Sequence, residues 1–222
     1  MTSQAVQPAH DAQSVPAPHG VTTAIVTLGL GGLFIGTGEF VSMSLLPDIA
    51  KATDVSIPTA GSYITAYALG VVIGAPLIAV LAARWPRKML LISLLALFAV
   101  GYAASALAWN HSSLIVARFI GGLPHGAYYG VACLVAATLV GDDKKAQAAG
   151  YVMAGLAAAN VIGVPVATWI GQLMGWRVTI GALAAAGAIS MALFCISSRP
   201  FPKTKLRALL RSSQVSNESK SG

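Results

Sequence analysis

Charged and strongly polar residues gather into short breaks along this chain, and the runs between them are apolar for long enough to cross a bilayer. A spanning helix needs about 20 apolar residues for a hydrocarbon core of about 30 Å. Six segments meet that length: Val21 to Leu46, Thr59 to Ala83, Met89 to Trp109, Ser112 to Val140, Ala146 to Met174 and Val178 to Ser198. The breaks carry turn-forming or helix-ending residues: Pro47 with Asp48, Pro86, Asn110 and the GDDKK run. Several breaks are only a few residues long, so consecutive helices are expected to pack as antiparallel neighbours. The pattern predicts an all-α, polytopic membrane protein with a six-helix transmembrane domain over 21–198. A disordered tail over 1–20, rich in Pro and Gln, is expected before it, and a basic, Ser-rich tail over 199–222 after it.

Composition agrees with lipid as the chain's partner. Hydrophobic residues make up 56% of the 222, charged residues 9%, and the mean hydropathy is +0.73, which leaves too little polar surface to cover a soluble globule. The net charge of +7 sits in short clusters between apolar runs and not along one face, which argues against nucleic acid as a partner. Arg84, Arg87, Lys88, Lys144, Lys145 and the Lys and Arg of the C-terminal tail fall on one side of the predicted membrane, with only Lys51 and Arg177 on the other. By the positive-inside rule both termini are cytoplasmic, in a cell or inner membrane. Cys133 and Cys195 lie in apolar stretches without metal-ligand or disulfide spacing. No Ser-His-Asp, HExxH, Walker or CxxC arrangement is present, so neither an enzyme nor a cofactor or metal site is expected.

The spans contain three residues with strong acid-base character: Glu39 in GTGEF, Arg118 and His125. Ionisable groups among hydrocarbon are costly and face a cavity or a partner. At about 100° per residue, Arg118, His125 and Tyr129 share one stripe of their helix, with Gly122 near it. The plain readings are that Arg118 snorkels or caps a helix end, that His125 is a packed, hydrogen-bonded residue, and that Glu39 is hydrated near the outer mouth. The functional reading makes Glu39, Arg118 and His125 a proton-coupling set, with Tyr67, Tyr129 and Asn160, and also Tyr63, lining a cavity for a small-molecule substrate. Glycines at four-residue spacing, such as Gly32/Gly36, Gly70/Gly74, Gly122/Gly126/Gly130 and Gly171/Gly175, predict close helix approach. Pro76, Pro124 and Pro165 add candidate kinks.

Taken together, RWPRK (84–88), ARFIGGLPHGAYYG (117–130), NVIGVPVATWIGQLMGWR (160–177) and the GTGEF stretch resemble the major facilitator superfamily, especially its drug:proton antiporter and sugar-efflux branch. The resemblance implies one N-terminal six-helix half, built as two inverted three-helix repeats. It also implies proton-coupled efflux of a small sugar or drug-like compound, with Arg118 in the helix-four proton-coupling position. Arg84, Arg87 and Lys88 match the conserved basic loop pattern, and Gly163 with Pro165 the helix-five antiporter motif; these five are expected to act in conformational change. The family pattern has Gly, Asp and Gly where this chain has Ala79, Ala83 and Pro86. A second six-helix half or a homodimer is the expected protein partner, and a non-transporting, regulatory half-carrier remains the alternative.

Overall fold

The computed structural model describes residues 19–197; the tails expected over 1–20 and 199–222 lie, apart from residues 19 and 20, outside the described residues. The helices are α1 (His19–Ser44), α2 (Leu46–Ala52), α3 (Ile57–Leu81), α4 (Arg87–Leu107), α5 (His111–Thr138), α6 (Lys145–Ala158), α7 (Val164–Met174) and α8 (Trp176–Ser197). A short 3-10 turn, Asp142–Lys144, precedes α6, and a π turn, Ala159–Gly163, joins α6 to α7. Six of the resulting rods are long and apolar enough to cross a membrane, and their limits follow the predicted spans to within a few residues at most ends.

Local chemistry explains the breaks. The first span stops at Ser44, and Pro47 does not simply end it: proline needs no amide donor in the first turn of a helix, so a new short helix, α2, starts around it. Asp54 then takes a left-handed conformation (φ 53), which aspartate tolerates better than most residues. Ser56 caps α3 by accepting from the Thr59 amide at 3.2 Å. Asn110 caps α5, accepting from Ser113 N at 2.8 Å while Ser113 Oγ accepts from Asn110 N at 3.1 Å. Gly175 turns between α7 and α8 at φ 94, a backbone angle that side chains disfavour.

The packing map repeats itself. Helix α3 packs on α5 as α6 packs on α1; α4 packs on α5 as α8 packs on α1; α4 meets α8 and α1 meets α5. Exchanging the first three spans for the last three leaves these contacts between repeats unchanged, while within the repeats α5 packs on α6 more closely than α1 does on α3. Because three is an odd number of crossings, the second set runs opposite to the first, which makes the two repeats inverted. Glycine enforces the equivalent contacts in both repeats: a Cβ on Gly122 would strike the Tyr67 carbonyl of α3, and one on Gly155 would strike the Gly29 carbonyl of α1. Such close backbone approach supplies the dispersion that holds helices together where lipid removes the hydrophobic drive. Leu91, Leu94, Leu95 and Phe98 of α4, Tyr128 of α5 and Phe194 of α8 fill the buried centre.

Candidate functional site

The GTGEF stretch is pressed against three neighbours at once. Gly36 faces Leu156, Ala159 and Tyr129, Gly38 faces the Tyr102 hydroxyl, and Thr37 faces Gly163 in the π turn. Larger residues at Gly36 and Gly38 would push these helices apart. The small residues just before Glu39 therefore let its carboxylate sit inside the bundle, where its side chain is 26% exposed.

Glu39 Oε2 lies 3.3 Å from His125 Nε2, and His125 Nδ1 lies 3.0 Å from the Tyr67 hydroxyl. Tyr67 is buried, and its ring lies under the Arg118 guanidinium, with Cζ 4.4 Å from the ring centroid. A second ring, Tyr102, flanks the same guanidinium at 5.5 Å. The arrangement joins α1, α3, α4 and α5 through side chains alone. Cation–π contact of this kind stabilises by about 2 kcal/mol when desolvated, and helps to hold a charge that is 4% exposed.

The donors and acceptors admit two consistent arrangements. A neutral imidazole donates from one nitrogen and accepts at the other. With Glu39 ionised, Tyr67 O–H donates to Nδ1 and Nε2–H donates to the carboxylate. With Glu39 protonated, its O–H donates to Nε2 and Nδ1–H donates to the Tyr67 oxygen. One proton on Glu39 thus reverses every hydrogen bond in the relay while no heavy atom need move.

The other candidate residues fall in different places. Tyr129 stacks beside His125, with centroids 5.2 Å apart, but its hydroxyl donates to the Gly32 carbonyl at 2.6 Å and ties α5 to α1. Asn160 is exposed in the π turn and donates to Leu156 O at 3.1 Å. Tyr63 reaches a separate cluster, bonding Thr53 at 3.0 Å and His111 at 2.7 Å. Gly163 ends the π turn and Pro165 lies in the first turn of α7, so the irregular backbone lies next to the glycine-proline pair. Arg84 and Arg87 are exposed at the α3–α4 turn, and Lys88 Nζ donates to Cys195 O at 3.5 Å. Sequence reasoning missed Tyr102, because a tyrosine within an apolar helix has no distinguishing pattern.

A family model described as Major Facilitator Superfamily matches residues 28–216. The inner membrane transport protein YdhP of Escherichia coli strain K12 is 42% identical over 194 residues, covering 84% of this chain and 50% of YdhP. A probable sugar efflux transporter of Helicobacter pylori strain P12 is 34% identical over 169 residues, covering 76% of this chain and 43% of that protein. Among solved structures, the xylose transporter XylE from E. coli, in a partially occluded inward open conformation, superposes with a TM-score of 0.69 at 16% identity, covering 87% of this chain and 53% of XylE. The chain spans about half the length of the curated relatives it matches, which fits a six-helix half. This chain, a multi-pass membrane protein, belongs to the major facilitator superfamily.

Proposed function

We propose that this chain is the N-terminal half of a proton-coupled carrier of the inner membrane, which exports a small sugar or drug-like compound by antiport. The observation that carries the reading is the relay from Glu39 through His125 to Tyr67 beneath Arg118. A carboxylate that crosses between two hydrogen-bonding arrangements is a proton carrier. Substrate entering beside Tyr67 and Tyr129 would compete with the proton for the same groups, which is the linkage antiport requires. Efflux and the inner membrane come from the names of the two relatives; both termini lie in the cytoplasm on the distribution of Lys and Arg.

Conformational change is assigned to two regions. The π turn with Gly163 and Pro165 lets α6 and α7 bend, since its backbone is already off the α-helical pattern. Arg84, Arg87 and Lys88 at the α3–α4 turn bias which state is favoured. A second six-helix half or a second copy of the chain would complete the substrate cavity, packing on apolar residues such as Leu69, Val72, Trp169 and Leu173 that this half leaves exposed.

The test is reconstitution of the full chain into liposomes holding a pH-sensitive dye, challenged with a panel of pentoses, hexoses and cationic dyes under a pH gradient. Proton movement opposite to one of these solutes, abolished by Glu39→Gln, supports the reading. Full coupled transport by a Glu39→Gln/Arg118→Ala variant would overturn the assigned roles. Silence from the intact chain on every solute would support the regulatory half-carrier instead.

A further inference from the structure

A groove of about 560 Å³ opens between α1 and α6. It runs from Val21 to Leu33 along α1, and from Lys144, just before α6, to Ala158. The two helices are the first and fifth spans, so they run in the same direction, and Gly29 meets Gly155 where they touch. From Val21 to Leu33 the helix rises about 18 Å, close to the depth of one leaflet, about 15 Å. Ile25, Leu30 and Leu33 line one wall; Ala154 and Ala158, too small to fill the space, line the other.

The polar lining is confined to the end where both helices begin: Thr22, Lys144, Gln147 and Tyr151. Lys144 has no ion pair among the described residues: Asp142 pairs with Lys145 at 2.6 Å, and Asp143 does not line the groove. Gln147 Nε2 donates to the Tyr151 oxygen at 3.2 Å, and the Tyr151 hydroxyl hydrogen has no acceptor among the described residues. The mouth therefore presents a cation and a hydroxyl donor, and no carboxylate lines the groove to answer them.

We infer that this groove binds one anionic phospholipid of the cytoplasmic leaflet, its phosphate at Lys144 and Tyr151 and one acyl chain along α1 and α6. The distribution of Lys and Arg turns this end to the cytoplasm, where basic pockets between membrane helices attract anionic head groups. A free phosphate would use the mouth and leave the apolar walls uncovered. A helix of another chain would cover the walls and leave the lysine unanswered. A lipid uses both parts, and the site stands whether or not the chain moves protons.

Native mass spectrometry of the full chain, released from neutral detergent with phosphatidylglycerol or phosphatidylcholine of matched chains, tests the inference. A one-to-one complex with phosphatidylglycerol, several-fold more abundant than with phosphatidylcholine, is expected. Lys144→Gln removes the cation and Ala154→Leu fills the groove, and each should lower the complex several-fold. Both positions are exposed, so neither change disturbs the packed core. Arg84→Gln removes an equal charge at the α3–α4 turn and should leave the complex intact; a loss there as large as in Lys144→Gln would mark unspecific attraction and overturn the site. Equal binding of the two lipids, or phosphatidylglycerol binding that either Lys144→Gln or Ala154→Leu leaves unchanged, overturns it too. So does displacement of the lipid by inorganic phosphate, which marks a plain anion site, or a protein dimer broken by Ala154→Leu with no lipid retained, which marks a second copy in the groove.

Discussion

His125 Nε2 lies 3.3 Å from Glu39 Oε2, so a residue of the fifth helix holds the carboxylate of the first within the bundle. Two weakly basic or acidic groups at this distance are close enough to exchange a proton, and the third member, Tyr67, has Arg118 over its ring. Positioning and proton handling are therefore separable by substitution.

Tyr67→Phe removes the hydrogen bond to His125 and keeps the ring under Arg118. The expected loss of stability is about 1 kcal/mol, with proton-coupled movement impaired. Tyr67→Ala removes the ring as well and leaves a cavity, so about 3–5 kcal/mol is expected. Thermal unfolding in one detergent distinguishes them; equal losses would show that the ring does not support Arg118.

Gly122→Ala drives a methyl group into the Tyr67 carbonyl of α3. Overpacking of this kind costs about 1–3 kcal/mol, and the same is expected for Gly155→Ala at the equivalent contact between α6 and α1. Gly61→Ala is the control, because nothing lies within 4 Å of the added group; it should be neutral or gain up to about 1 kcal/mol. Melting temperatures of the three variants check this order.

A methyl group at Gly163 would collide with Thr37 Oγ1. Gly163→Ala is expected to destabilise the chain and slow any movement of α7, and Thr37→Ala in the same chain should restore much of the loss, since it removes the colliding hydroxyl. A double-mutant cycle in unfolding free energy measures the coupling. Purely additive losses would show that the π turn does not rest on Thr37.

The spans were legible because an apolar run of bilayer length between charged breaks has few other readings. The break at Pro47 was legible but its consequence was not: a proline that ends one helix also suits the first turn of the next, and only the packed chain shows α2. The stripe of Arg118, His125 and Tyr129 follows from helical period. Where each side chain ends does not: Tyr129 is taken by the Gly32 carbonyl, and Asn160 by its own helix. The meeting of Glu39 with His125 depends on which helices touch, which local pattern does not encode. Tyr102 was hidden because its role comes from facing Gly38 and Arg118.

The most direct measurement is infrared difference spectroscopy of the purified chain through a pH titration, following the carboxylic-acid stretch. The account predicts one band from a carboxyl that gains its proton as pH falls, absent in Glu39→Gln. In Arg118→Gln the same transition should shift, because a charge that borders the relay has been removed from the carboxyl's surroundings. A titration unchanged by Glu39→Gln, or one that Arg118→Gln leaves in place, would contradict proton handling by Glu39 under the influence of Arg118.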